Sequence, residues 1–211
     1  MHDTIPILYE DDAILVVNKP SGLLTVPGRG PEKQDCLIKR LLQPFPNARI
    51  VHRLDQPTSG LVIIALSHAA QKAMGHRFEK REIEKSYVAV VHGLVSETEG
   101  EVELPLICDW PNRPRQIVDS DNGKSALTRY KVLSYDTENQ STRVALFPFT
   151  GRSHQLRVHM QAIGHEILGD QLYAGQLALE ASSRLLLHAS QLKFLHPISE
   201  QELEIHSPPP F

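Results

Sequence analysis

The chain has 211 residues, of which 41% are hydrophobic and 22% charged, the make-up of one soluble domain large enough to bury about 70% of its unfolded surface. A net charge of −3 and a pI near 6.4 argue against nucleic-acid binding through bulk positive charge. The longest apolar run, 61–66, falls far short of the roughly 20 residues that cross a bilayer, and the N-terminus lacks a signal-peptide pattern, so a cytoplasmic protein is expected.

Alternation and β-branched content predict strands over 5–9, 13–18, 49–51, 61–66, 87–92, 126–134, 142–147 and 185–195. Helical spacing predicts helices over 36–42, over 67–81 with Ser67 as N-cap, and over 153–163 with Gly164 just past the end. The first two strands are joined by a turn on Glu10, Asp11 and Asp12, which favours antiparallel neighbours over a regular βαβ succession. The expected class is therefore α+β, with a mixed, mainly antiparallel sheet flanked by helices and loops. Proline- and glycine-rich stretches at 20–31, 105–114 and 207–210 read as loops or a tail, and none divides halves of different composition. A single domain over 1–211 is expected, without internal repeats.

Local charge is uneven. Acids gather at Asp11 and Asp12, at Glu97, Glu99, Glu101 and Glu103, and at Glu200, Glu202 and Glu204. Residues 143–160 carry Arg143, Arg152, Arg157, His154 and His159 and no acid. The stretch with Lys72, Arg77, Lys80, Arg81 and Lys85 is diluted by Glu79, Glu82 and Glu84, as on a solvated helix face laced with ion pairs. Cys36 and Cys108 lack a CxxC partner, and His154 and His159, five apart on a helix, face different directions, so neither a disulfide framework nor a metal site is expected. GxGxxG, GxxxxGK[ST], HExxH, GxSxG and EF-hand patterns are all absent, and no cofactor is expected.

Two segments have the make-up of a site. Residues 51–60 set the carboxylate of Asp55 in a turn between apolar strands, beside His52 and Arg53; such a platform suits catalysis, and equally suits an aspartate that only organises its turn. Residues 150–159 run from a glycine turn into a helix whose first amides attract anions. Arg152 and His154 are placed to meet a phosphate there. Arg157, one turn deeper, is either a surface side chain or a bidentate partner for a buried carboxylate.

The pattern HRLD-x-x-TSG at 52–60 resembles the signature of the RluA family of RNA pseudouridine synthases. Lys85-Ser86-Tyr87 is similar to that family's K-x-Y motif, 151–159 to its GR-x-HQ-x-R-x-H motif, and Leu187-His188-Ala189 to a later strand motif, all in the family's order. The stretch 104–114 resembles the shorter members, and the catalytic region begins near Ile7, which leaves no room for the S4 domain of longer members.

The resemblance implies an isomerase that breaks the N1–C1′ bond of uridine, turns the base and rejoins it through C5, with no cofactor. Asp55 takes the part of catalytic carboxylate, and a carboxylate can act as a nucleophile and leave again. Addition at C6, attack at C1′ and removal of a sugar proton all start from an ionised Asp55. A guanidinium would favour that form, with Arg157 the candidate. Tyr87 is suited to stacking on the extruded uracil, beside the plainer reading of a core tyrosine. Arg53 would fill the place vacated by the base, and His52, Arg152 and His154 would contact RNA. The implied substrates are a 23S rRNA hairpin and the anticodon stem-loop (position 32) of tRNAs, and the implied enzyme is monomeric. The alternatives are a catalytically silent RNA-binding protein of the same fold and a metal-dependent RNA hydrolase.

Overall fold

The computed structural model describes residues 4–211. Their contacts fall into two compact units, the first made of the chain up to Lys85 together with Ala189–Pro210, the second of Ser86–His188 and Phe211. The sequence shows no boundary because the chain passes into the second unit and back within strands, and changes neither composition nor linker character at these crossings. Among the described residues no helix is long and apolar enough to cross a membrane.

In the first unit the strands β1 (Ile7–Glu10), β2 (Ile14–Lys19) and β4 (Ser59–Ala65) are successive antiparallel neighbours, with the short β3 (Arg49–Ile50) also pairing with β4. Next to β4 runs β11 (Leu187–Leu195), which pairs in turn with β12 (Glu202–His206). Asp11 makes the β1–β2 turn, its carboxylate accepting from the amides of Ala13 and Ile14. Every residue of β4 is buried, which is why its apolar letters run together instead of alternating. Alternate residues Ile14 and Val16, Leu61, Ile63 and Ala65, and Leu192 and Phe194 form one core with Ala70 and Met74 of α2 (His68–Lys80). Ser67 caps α2 by accepting from the Ala70 amide, and Arg81 ends it in the left-handed conformation. The unit also holds α1 (Leu37–Leu41) and a 3-10 turn at Pro31–Lys33.

In the second unit β5 (Glu84–His92), β10 (Ser141–Pro148), β9 (Leu127–Asp136) and β6 (Glu99–Glu103) follow one another as antiparallel neighbours. The helix α3 (Gln155–Ala162) lays Leu156 and Met160, four apart, into the core built on Ala89, Val91, Val144 and Leu146. The hairpin of β7 (Leu106–Cys108) and β8 (Gln116–Val118) and the short α4 (Gln176–Glu180) complete the unit. The acidic run near 100 is an edge strand: Glu99 and Glu101 stand opposite Lys131 and Arg129, with Arg129 ion-paired to Glu101. An edge lined with charge is protected against further strand pairing. The class is α+β with mainly antiparallel pairing, as the residue pattern predicts.

Candidate active site

In the first unit, residues 52–55 are irregular and lead into a tight turn in which the Thr58 amide donates to the Asp55 carbonyl. The residues on either side of Asp55 are held by the loop after β2. Leu54, buried, donates its amide to the Thr25 hydroxyl, which donates in turn to the Leu54 carbonyl at 2.8 Å. The Gln56 carbonyl accepts from the Gly22 amide, the Gln56 side chain donates to the Gly22 carbonyl, and the Ser21 hydroxyl donates to the Pro57 carbonyl. At the centre of this clamp lies Lys19, fully buried, its ammonium donating to the carbonyls of Pro20, Leu23 and Gln56 at 2.9, 2.7 and 3.1 Å. A buried ammonium is tolerated because three carbonyl dipoles replace its water shell. Asp55 is half-buried and Arg53 exposed, on either side of the buried Leu54.

His52 is anchored to β4 and to α2. Its Nε2 accepts from the Ile63 amide at 2.9 Å, which puts the proton of the neutral ring on Nδ1, and the ring lies 4.5 Å from that of Phe78. Burial, reinforced by the nearby Lys85 charge, lowers its pKa to about 3. Through Nε2 the ring fastens the incoming segment to β4. The other end of the motif is fastened by Gly60, at φ +115, where a Cβ would lie 2.3 Å from the Ala189 carbonyl oxygen. Only glycine lets the TSG and LHA segments approach this closely.

In the second unit, the residues of 150–159 turn mostly inward. Gln155 accepts from the Thr150 hydroxyl and the Arg152 amide and donates to the Leu127 carbonyl and the Thr128 hydroxyl. His159, fully buried, bonds to Thr128 Oγ1 and the Leu104 carbonyl, and burial lowers its pKa. Arg157 is buried, not a surface side chain. It donates through Nε and Nη2 to both oxygens of Asp170 at 2.7 and 2.6 Å, and its guanidinium lies 4.9 Å from the Tyr173 ring. The bidentate carboxylate partner is thus Asp170, which the sequence reading passed over because it lies outside the basic stretch and carries no motif signal. Asp170 also accepts from the amides of Leu172 and Tyr173. The Tyr173 hydroxyl bonds His154 Nδ1 at 2.6 Å, and His154 itself sits in the left-handed conformation at the start of α3. Arg152 is exposed, its Nε donating to the Ser125 carbonyl.

The structure therefore gathers His52, Arg53 and Asp55 in one unit and Arg152, His154 and Arg157 at the start of α3 in the other. Tyr87 stands on β5 opposite Leu146, half-buried against the core of the second unit. Sequence reasoning missed Lys19, Thr25, Asp170 and Tyr173. A lysine closing an apolar strand, as in ILVVNK, is the one local signal among them.

The model of the RNA pseudouridylate synthase family matches residues 13–162. The chain belongs to this family. It is 55% identical over 191 residues to the dual-specificity RNA pseudouridine synthase RluA of Yersinia pestis, covering 90% of this chain and 92% of that protein. It is 52% identical over 205 residues to the protein of that name from Escherichia coli K12, covering 97% and 93%. Among solved structures, human RNA pseudouridylate synthase domain containing 1 superposes with a TM-score of 0.83 at 30% identity, covering 99% of this chain and 84% of the human one. Human domain containing 4 gives 0.77 at 28%, covering 97% and 88%. The synthase is an isomerase acting on uridines of RNA, and the reading of a silent RNA-binding protein has no support among these relatives.

Proposed function

We propose that this synthase uses Asp55 as its catalytic carboxylate, with Tyr87 and Arg157 as the other catalytic groups, and that Arg53, Arg152 and His154 contact the RNA. His52 joins them as an RNA contact, through the N–H that its bond to the Ile63 amide leaves on Nδ1. The observation that carries the proposal is the clamp around Asp55: its neighbours Leu54 and Gln56 are both bonded to the loop after β2. A carboxylate so flanked starts each turnover from one geometry, which removes orientational cost from the barrier. In the reaction the N1–C1′ bond breaks and a C5–C1′ bond forms; the C5 hydrogen leaves as a proton and N1 gains one. Extruding the uridine costs a few kcal/mol, part of which stacking on Tyr87 offsets, and Arg53 replaces the base in the RNA stack.

We further propose that the substrates are a 23S rRNA hairpin and the anticodon stem-loop of tRNAs, as the relatives' dual specificity suggests. The same reading has residues 1–211 working as a single catalytic domain, as a monomer in the cytoplasm. Tritium release from [5-³H]uridine-labelled RNA tests the chemistry. Asp55→Asn abolishes release while leaving the unfolding midpoint near that of the parent; release at the parental rate rejects Asp55 as the carboxylate. In the same assay Arg53→Ala weakens turnover on a structured stem-loop more than on an unstructured RNA, and equal losses reject its base-replacing role.

A further inference from the structure

The β7–β8 hairpin has no part in the reaction so far, yet its tip carries a side chain that folding alone does not explain. Trp110, the chain's one tryptophan, is 65% exposed. Large aromatic rings usually contribute to cores or interfaces, and one held in water marks a contact surface. The guanidinium of Arg113 lies 4.6 Å from the indole centroid, so one face is covered by a cation.

The tip is stiff. Asp109 donates its amide to the Arg115 carbonyl, Asn112 to the Asp109 carbonyl, and Arg115 to the Asn112 carbonyl. The Asp109 carboxylate, the one acid between 109 and 115, accepts from the Asn112 side chain at 2.9 Å. That acid is engaged within the turn, while Arg113 and Arg115 supply two cations. Where its loop rejoins β8 the hairpin is bonded to the cluster around Arg157: the Gln116 amide donates to the Tyr173 hydroxyl at 2.8 Å, and Arg115 lies 5.4 Å from the Tyr173 ring. Tyr173 in turn bonds His154 and, through its amide, Asp170, the partner of Arg157. The hairpin tip is thereby held at a fixed distance from Arg157 within the second unit.

A flat ring beside two cations, on a rigid arm, suits an unpaired nucleotide, which offers a π-face for the indole and a phosphate for the arginines. An apolar protein partner would be met by an apolar rim, not by arginines. We propose that Trp110 and Arg113 form a stacking platform for an unpaired nucleotide of the RNA stem-loop near the target uridine, and that this contact helps select which stem-loops are accepted. The proposal rests on the stem-loop substrates proposed above.

Because Trp110 is the only indole, its fluorescence reports this contact directly. The protein carrying Asp55→Asn, which binds without turning over, is titrated with a stem-loop RNA while anisotropy of a dye on the RNA follows binding. The loop RNA quenches the indole as it binds, and a fully paired RNA of equal length does not. In the tritium assay Trp110→Ala raises KM by roughly 5- to 100-fold with kcat little changed, and Trp110→Phe restores part of the loss. Binding by anisotropy without quenching, or a parental KM in Trp110→Ala, overturns the platform and leaves Asp55 untouched. Tritium release that survives Asp55→Asn would instead overturn the catalytic assignment, whatever the quenching shows.

Discussion

The buried pair of Arg157 and Asp170 sets a measurable floor under the stability of the second unit. The two side chains are 3% and 1% exposed and joined by hydrogen bonds of 2.7 and 2.6 Å. Removing one partner of such a pair leaves the other charged in a dry site, at about 3–5 kcal/mol. For Arg157→Met the lower end applies, about 3 kcal/mol, because Asp170 keeps the amides of Leu172 and Tyr173 as donors. For Asp170→Asn the upper end applies, since the guanidinium then faces an amide that brings a donor to a donor. The double variant sets Met against a neutral amide and strands no charge, so its cost falls at least about 2 kcal/mol below the sum of the singles. Urea unfolding with unchanged m-values gives these differences, and in a chain of this size 3 kcal/mol lowers Tm by roughly 6–12 °C. An Arg157→Met protein less than about 1 kcal/mol weaker than the parent, or single costs that simply add, would refute the reasoning. The same proteins, assayed well below their midpoints, separate catalysis from folding: Asp170→Asn shares the stability loss but keeps the guanidinium that Arg157→Met removes.

His52 predicts how stability responds to acid. The folded protein takes up its proton only near pH 3, the unfolded chain near 6.5, so between these values the unfolded state binds more protons. Its contribution is therefore complete above about pH 6.5 and declines as the pH falls toward 3, by up to about 1.4 kcal/mol per pH unit. His52→Gln, which keeps an acceptor for the Ile63 amide, shows a shallower profile in denaturant titrations over this range; parallel profiles for parent and variant would remove His52 as the source. Gly60→Ala forces a Cβ against the Ala189 backbone at a φ of +115, and strain plus displaced backbone predict a loss of about 2–5 kcal/mol. An alanine variant unfolding within 1 kcal/mol of the parent would mean that β4 and β11 separate without cost.

The strands and helices with strong internal patterns were legible in the letters, and those defined by their neighbours were not. β2, β4, β9, β10 and β11 and the helices α1, α2 and α3 lie where apolar spacing puts them, with ends shifted by a few residues. β6 and β12 were read only as acidic clusters. In both, glutamates alternate with Val102 or with Leu203 and Ile205, so each is an edge strand whose charged side is the visible half of a two-residue period. β7, β8 and α4 are only three to five residues long, too short for any period to register. For the candidate site, the motif letters single out Asp55, Tyr87 and Arg157, but none of them names its partners. Thr25 and Leu54 are 29 positions apart and Lys19 and Gln56 are 37, distances at which a single sequence carries no pairing signal.

The structure also explains why such motifs are long when the chemistry needs few groups. Within 52–60, His52 binds a strand amide, Leu54 is gripped through its backbone, and Gly60 admits a neighbouring strand. Within 150–159, Gln155 holds four partners, His159 two, and Arg157 is clasped by Asp170. The side chains of His52, Gln155, Arg157 and His159 are thus committed to interior bonds, where a change leaves a buried polar group unsatisfied at about 1–3 kcal/mol each. Asp55 in the first unit is half-buried, and Arg53 in the first unit and Arg152 in the second are exposed. Under the role proposed for Asp55, a carboxylate meeting a flipped base needs surroundings that hold still, and the bonds made by Leu54 and Gln56 supply them. The motif at 52–60 is accordingly in good part a description of a scaffold, with the proposed carboxylate as one of its letters.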